Sequence, residues 1–231
     1  MTTALVTGGN KGIGKEVARQ LLDAGMTVHI GARSRERGQR AAEELGARFL
    51  ALDVTDEASA AAAAEQLESL DVLVNNAGIA VGETSPSESD VDGFRRTYET
   101  NVFGVVAVTN AFLPALRRSA HPRIVNVSSG TGSLTWATSS ERFRNSAMAA
   151  YRSSKTALNA LTVFYANELA DEGFKVNALS PGLRRTELNE RAAAADGDPA
   201  EAAAGAVRLA TLPDDGPNGE YRDWDGNPVP W

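Results

Sequence analysis

The chain has 231 residues, 42% of them hydrophobic and 23% charged, with a formal net charge of −7. That length suits one sizeable domain with a real core and is short for two. The acidic balance argues against a nucleic-acid partner, because phosphate neutralisation needs clustered Lys and Arg, and the lack of cysteine excludes disulfides, thiolate zinc sites, iron–sulfur clusters and a Cys nucleophile.

Strand and helix patterns alternate along the chain. Residues 4–7 form a short β-rich run that leads through a glycine-rich turn, 8–14, into a helical stretch at 15–24. Residues 27–30 read as the second strand, 34–45 as a helix and 49–52 as the third strand. The alanine-rich stretch 58–70 reads as a helix with Leu67 and Leu70 on one side. A fourth strand at 71–74 is followed by a long helical region, about 90–118. Residues 123–127 read as the fifth strand. The stretch 149–170 is a strong helix, with Ala157, Leu158, Leu161 and Phe164 at i, i+3, i+4 spacing. A sixth strand is expected at 176–179 and a seventh at 219–222.

Alternation of this kind implies parallel pairing, since parallel strands need long crossovers. Right-handed crossovers then give an α/β fold: a single, doubly wound Rossmann-type domain over residues 1–231, with about seven parallel strands and helices on both faces. The least regular part, about 183–216, is expected to be a mobile, partly helical substrate lobe. His29 and His121 lie far apart without acidic neighbours at ligand spacing, so no metal site is expected. No basic segment precedes an apolar stretch at the start, and no apolar run approaches a membrane span. The expected compartment is the cytoplasm, with no membrane partner.

Gly8, Gly12 and Gly14 sit between the first strand and the first helix. Glycine admits positive φ and close approach of a ligand to the backbone, and the helix that follows offers unpaired N–H groups to a phosphate. A plain tight turn would use the same residues. The strand–turn–helix context favours nucleotide binding.

Tyr151 and Lys155 stand four apart in a strong helix and share a face. A phenol is a poor acid–base group at neutral pH, and a cation beside it favours the phenolate. Ser129 follows the fifth strand at its carboxyl end, where ligands of doubly wound sheets bind. Each of these features alone is more often structural. Their joint placement around a nucleotide site points to chemistry.

Thr7-Gly8-Gly9-Asn10-Lys11-Gly12-Ile13-Gly14, Asp53-Val54, Asn75-Asn76-Ala77-Gly78, Asn101, Ser129, Tyr151-x-x-x-Lys155 and Pro181-Gly182 together resemble the ordered motif set of the short-chain dehydrogenases/reductases. The match runs from the first strand to about Thr186, and Asn218-Gly219 to Gly226 resembles the family's last strand and turn. The glycine turn, Ala32-Arg33 and the extra length before Tyr151 are most similar to the NADPH-dependent carbonyl reductase branch.

The resemblance implies an oxidoreductase that moves a hydride between a nicotinamide and a ketone, aldehyde or secondary alcohol. It implies Tyr151 as general acid in reduction and base in oxidation, Lys155 as holder of the nicotinamide ribose, Ser129 as donor to the substrate oxygen and Asn101 as support for Lys155 through a water. Ser128 is a neighbour that the same pattern could confuse with Ser129. Gly8, Asn10, Lys11, Gly12, Ile13 and Gly14 would surround the diphosphate, and Asp53 and Val54 would border the adenine. Asn75, Ala77 and Gly78 would line the cofactor, although Asn75 and Asn76 could equally brace strand edges. Pro181, Gly182 and Leu183 would approach the nicotinamide and Thr186 its carboxamide or the diphosphate.

NADP(H) is expected over NAD(H). The end of the second strand, where NAD enzymes place a carboxylate for the ribose 2′-hydroxyl, reads Gly31-Ala32-Arg33-Ser34. Arg33 can pair a 2′-phosphate through its planar fork, with Lys11 as a second cation.

The chain departs from the commonest family members between Ser129 and Tyr151, where it is longer. Glu141, Arg142 and Arg144 would bring charge to the helical face through which relatives pair, so a monomer or homodimer is expected over a tetramer. The competing reading is a non-catalytic NADP-binding sensor or regulatory module on the same fold. It is weakened by the retention of both Tyr151 and Lys155. A serine hydrolase is disfavoured, since no G-x-S-x-G occurs.

Overall fold

The computed structural model describes residues 2–82, 84–141, 143–144 and 146–231. Its centre is a parallel sheet of β1 (Thr3–Thr7), β2 (Thr27–Ala32), β3 (Arg48–Ala51), β4 (Val72–Asn75), β5 (Arg123–Val127), β6 (Lys175–Ser180) and β7 (Tyr221–Asp223). The strands lie in the order β3-β2-β1-β4-β5-β6-β7. The order reverses beside β1, so the connections that leave β1 and β4 run to opposite faces of the sheet at their carboxyl ends, the edge at which doubly wound sheets bind ligands.

The strands are apolar at successive positions because both faces are covered. Register sorts the side chains into two layers. Leu5, Leu73, Ile124 and Val176 align from strand to strand and face one core. That core is completed by α3 (Glu57–Ala64), α5 (Gly104–Leu116) and α7 (Ala149–Glu168), which contribute Ala60, Phe112, Leu116 and Tyr165. Val6, Val74 and Val125 face the opposite core, closed by Val17 and Leu21 of α1 (Gly12–Asp23), Ala41 of α2 (Arg35–Leu45) and Ala206 of α9 (Pro199–Ala210).

Several expected elements take a different form. The helix expected over 58–70 stops at Ala64. Its run of alanines has no apolar stripe to hold further turns in place, and tightened turns at Gln66 and Leu67 carry Leu67 and Leu70 into the core instead. The region 90–118 is α4 (Val91–Tyr98), a π-helical turn Glu99–Phe103 and then α5. Within 183–216, α8 (Glu190–Ala193) is short, whereas α9 packs on α1 with Ala202, Ala203 and Ala206 fully buried. The loop proper is therefore confined to about 183–198. The long segment before α7 holds a further helix, α6 (Leu134–Ser139), which starts on a Ser133 cap. Arg142, invoked above for its charge, lies outside the described residues. Among the described residues no helix is long and apolar enough to cross a membrane.

Candidate active site

The glycine turn is required by close packing. Gly8 and Gly12 adopt φ +64° and +53°. A Cβ on Gly14 would lie 2.3 Å from Asn76 Nδ2 and 2.7 Å from the Gly8 carbonyl. Asn76 ties this turn to β4, its side chain donating to the Thr7 carbonyl at 2.9 Å and its backbone N–H to Thr7 Oγ1 at 3.0 Å. The Ala77 N–H donates to the same Thr7 hydroxyl. Side chains of Ser34, Asp56, Asp90 and Asp198 cap α2, α3, α4 and α9. No side chain caps α1 after the extended Lys11.

The Asn75 side chain braces the interior. Its amide donates to Thr109 Oγ1 at 3.1 Å and to Asn126 Oδ1 at 2.9 Å, within the interior between β4, β5 and α5. Both hydrogen bonds are buried and both use the Nδ2 donor.

Tyr151 and Lys155 project from the first turns of α7 and are 8% and 4% exposed. The helix starts from Met148 at φ 59°, a left-handed conformation that costs a methionine strain and fixes the helix start. Lys155 Nζ donates to the Val127 carbonyl at the end of β5, 2.8 Å away, and stands 5.7 Å from the Tyr151 ring centre. Ser129 is half-buried, with its hydroxyl 2.9 Å from Thr131 Oγ1. Ser128 points elsewhere: it is buried and donates to Asn159 Oδ1 at 2.5 Å. The ambiguity between the two serines resolves on this geometry.

The π turn places Asn101 in the interior. Its Oδ1 accepts from the Ile79 N–H at 2.9 Å, and its Nδ2 donates to the Ile79 carbonyl at 2.9 Å and to Ser154 Oγ at 3.0 Å. A Cβ on Gly78 would lie 3.4 Å from Asn101 Oδ1 and 3.6 Å from Lys155 Nζ. Gly78, Asn101 and Lys155 thus converge at the carboxyl ends of β4 and β5. Ser154 was not distinguished by the sequence, because serine beside tyrosine in a helix carries no signal of its own.

The electrostatic balance differs from the expectation that Lys155 lowers the phenol. Burial pushes the Tyr151 phenol above its ordinary value, and the Ser129 hydrogen bond draws it partly back. Burial pushes Lys155 down to about 8. Desolvation disfavours both charged forms.

The rim of the site is exposed. Arg33 follows β2 at the surface. Lys11 Nζ pairs with Glu187 Oε2 at 2.8 Å, across 176 residues of sequence. A Cβ on Gly12 would lie 3.3 Å from Thr186 Cγ2, so the loop after β6 lies directly on the glycine turn. Pro181 is buried, Gly182 turns at φ +69° and Leu183 is exposed. Arg184 is buried against the Trp224 ring, 4.4 Å from its centre, and pairs with Glu201 at 3.3 Å. Asp53 Oδ1 accepts from the Thr55 N–H and hydroxyl, and Val54 packs against the core. Asn10 and Ile13 are half-buried in the turn.

A glycine turn ahead of α1 and a buried tyrosine–lysine pair at the carboxyl edge of a doubly wound parallel sheet define a Rossmann-type domain. Sequence comparison makes this specific. The short chain dehydrogenase profile matches residues 2–197. Salutaridine reductase of Papaver bracteatum is 34% identical, over 96% of this chain and 94% of the relative. NADPH-bound carbonyl reductase from chicken fatty liver superposes with a TM-score of 0.85 at 27% identity, over 100% of this chain and 99% of that one. A 3-ketoacyl-(acyl-carrier-protein) reductase from Brucella melitensis, complexed with NADH, superposes with a TM-score of 0.84 at 27% identity, over 96% of each chain. The chain belongs to the short-chain dehydrogenase/reductase family.

Proposed function

We propose that this protein is an NADPH-dependent reductase that transfers a hydride between the nicotinamide and the carbon of a ketone, aldehyde or secondary alcohol. The observation that carries the reading is the meeting of Tyr151, Ser129 and Lys155 beside Gly78 and Asn101 at the carboxyl edge of the sheet. The cofactor, when bound, supplies the hydride. The cradle of Gly8, Asn10, Lys11, Gly12, Ile13 and Gly14, with the uncapped start of α1, fits a diphosphate. Ala77, Gly78, Pro181, Gly182, Leu183 and Thr186 would hold the nicotinamide half, and Asp53 and Val54 the adenine.

Tyr151 donates its phenolic proton to the developing alkoxide in reduction and accepts it in oxidation. Ser129 fixes the substrate oxygen against that phenol. Lys155, already held by the Val127 carbonyl, offers a second N–H and a positive charge that steadies the phenolate. Asn101 keeps the π turn pinned to Ile79, which sets the spacing between Gly78 and Lys155. The elevated resting value of Tyr151 keeps it protonated, as a proton donor must be.

NADPH is favoured because the end of β2 reads Gly31-Ala32-Arg33-Ser34 with no carboxylate, and Lys11 of the glycine turn adds a second cation. The chain works as one catalytic unit in the cytoplasm, with residues 183–198 as its movable part, and as a monomer or dimer. NADPH consumption across a panel of ketones and aldehydes tests the reading. Carbonyl-dependent oxidation is the expected result. Tight NADPH binding with no turnover on any carbonyl or alcohol would leave a binding module instead.

A further inference from the structure

One carboxylate reaches the glycine turn from the loop after β6. Glu187 belongs to the loop after β6, yet its Oε2 lies 2.8 Å from Lys11 Nζ in the glycine turn. Arg37, in the first turn of α2, also acts on it: Glu187 is held below its ordinary value first by the Lys11 hydrogen bond and charge, with Arg37 adding to them. Glu187 therefore reaches the glycine turn, which adjoins the β2–α2 corner, the Gly8 N–H donating to the Gly31 carbonyl at 2.8 Å. That corner is where a dinucleotide's adenosine ribose lies in a doubly wound sheet. Its neighbour Thr186 rests on Gly12, which fixes the carboxylate's approach.

We propose that Glu187 is a specificity-determining residue: a loop-borne carboxylate that occupies Lys11 in competition with a ribose 2′-phosphate. The inference rests on the NADPH reading above and deepens it. A phosphorylated dinucleotide must displace Glu187 from Lys11, whereas an unphosphorylated one makes no demand on it. Affinity for the phosphorylated cofactor is thereby set below what the bare cation would give. Displacement also removes one tie between the loop and the glycine turn, leaving the Thr186 N–H on the Ala192 carbonyl and the Asn189 cap of α8. The side chains of Lys11 and Glu187 are 47% and 73% exposed, so the pair exchanges partners readily and is weakened by salt.

The test is a set of dissociation constants for wild type and Glu187→Gln, measured by calorimetry with NADPH, NADH, adenosine 2′,5′-bisphosphate and 5′-AMP. The variant is expected to bind NADPH and the bisphosphate about two- to fivefold more tightly, the scale of one exposed ion pair. NADH and 5′-AMP should be unchanged, and the gain should shrink at about 0.5 M salt. Equal tightening of all four ligands would show a simple steric closure and overturn the proposal, as would no change or a weakening with NADPH. If wild type binds none of the four, the dinucleotide reading itself falls. If wild type binds them and Glu187→Gln changes nothing, only this inference falls.

Discussion

Lys155 and Lys11 stand at the same carboxyl edge of the sheet and are held in opposite ways. Lys155 is 4% exposed, donates to the Val127 carbonyl and is surrounded by residues that α7, β5 and the π turn fix in place. Lys11 lies at the surface and is held by one carboxylate from a distant loop. Packing sets the first and charge sets the second. A buried cation carries a desolvation cost that shows in its lowered pKa, near 8. A surface cation carries little cost, contributes little stability, and can change partners as ligands and salt change. In the proposed function the proton chemistry lies in the packed interior and the choice of cofactor at an adjustable rim.

Breaking the interior side should have the largest effect. Tyr151→Phe removes the proton donor but no packing volume, and is expected to lower kcat by about 10²–10⁴-fold. NADPH affinity, measured by titration, should stay near wild type.

Lys155→Met comes next. Turnover should fall by about a hundredfold, within the range for loss of acid–base support, while the folded protein gains stability. Below pH 8 both folded and unfolded chains carry the Lys155 proton, and the cost of burying its charge is fully present. As pH rises from about 8 toward the ordinary 10.5, the folded chain releases that proton before the unfolded one does, so the cost is relieved. Thermal unfolding should therefore show the variant more stable than wild type at pH 7, by less than the full relief because the Val127 carbonyl loses its donor. The gap should narrow above pH 8. A variant less stable at pH 7, or a gap that widens with pH, would show that the buried charge is not the dominant cost.

Arg33→Asp probes the rim and should have the smallest effect on chemistry. It replaces attraction by repulsion at the 2′-phosphate, so the ratio of kcat/KM for NADPH over NADH should fall about ten- to a hundredfold, the worth of one or two charged hydrogen bonds. The unfolding midpoint should not move. An unchanged ratio would place the 2′-phosphate elsewhere.

The same division explains what could be read from the sequence. β5 falls on residues 123–127 as expected, because five buried apolar or bracing positions in a row leave little choice of boundary. The glycine turn and the Tyr151–Lys155 pair were legible because local spacing dictates their geometry. Asn75 and Asn76 could not be separated by spacing, since the decision lies in contacts to Thr109, Asn126 and Thr7 from other elements. α6 is six residues of Leu, Thr, Trp, Ala and Ser with no amphipathic repeat, and it forms against a Ser133 cap and the Trp231 carbonyl, which accepts from the Thr135 N–H. Glu187 left no trace at all, because nothing in a chain announces a charge pair across 176 residues. Charge from Lys155 was expected to dominate Tyr151, and burial dominates instead, a quantity that only the packed structure supplies.

The central claim, that interior residues carry the chemistry and rim residues the choice of cofactor, is tested most directly by a crossed measurement. NADPH and NADH dissociation constants and turnover with one carbonyl substrate are determined side by side for wild type, Tyr151→Phe and Arg33→Asp. The account predicts that Tyr151→Phe loses turnover with both dissociation constants preserved, and that Arg33→Asp loses NADPH affinity while its turnover at saturating NADH is preserved. Near-normal turnover in Tyr151→Phe, or two variants that damage the same parameter, would contradict it.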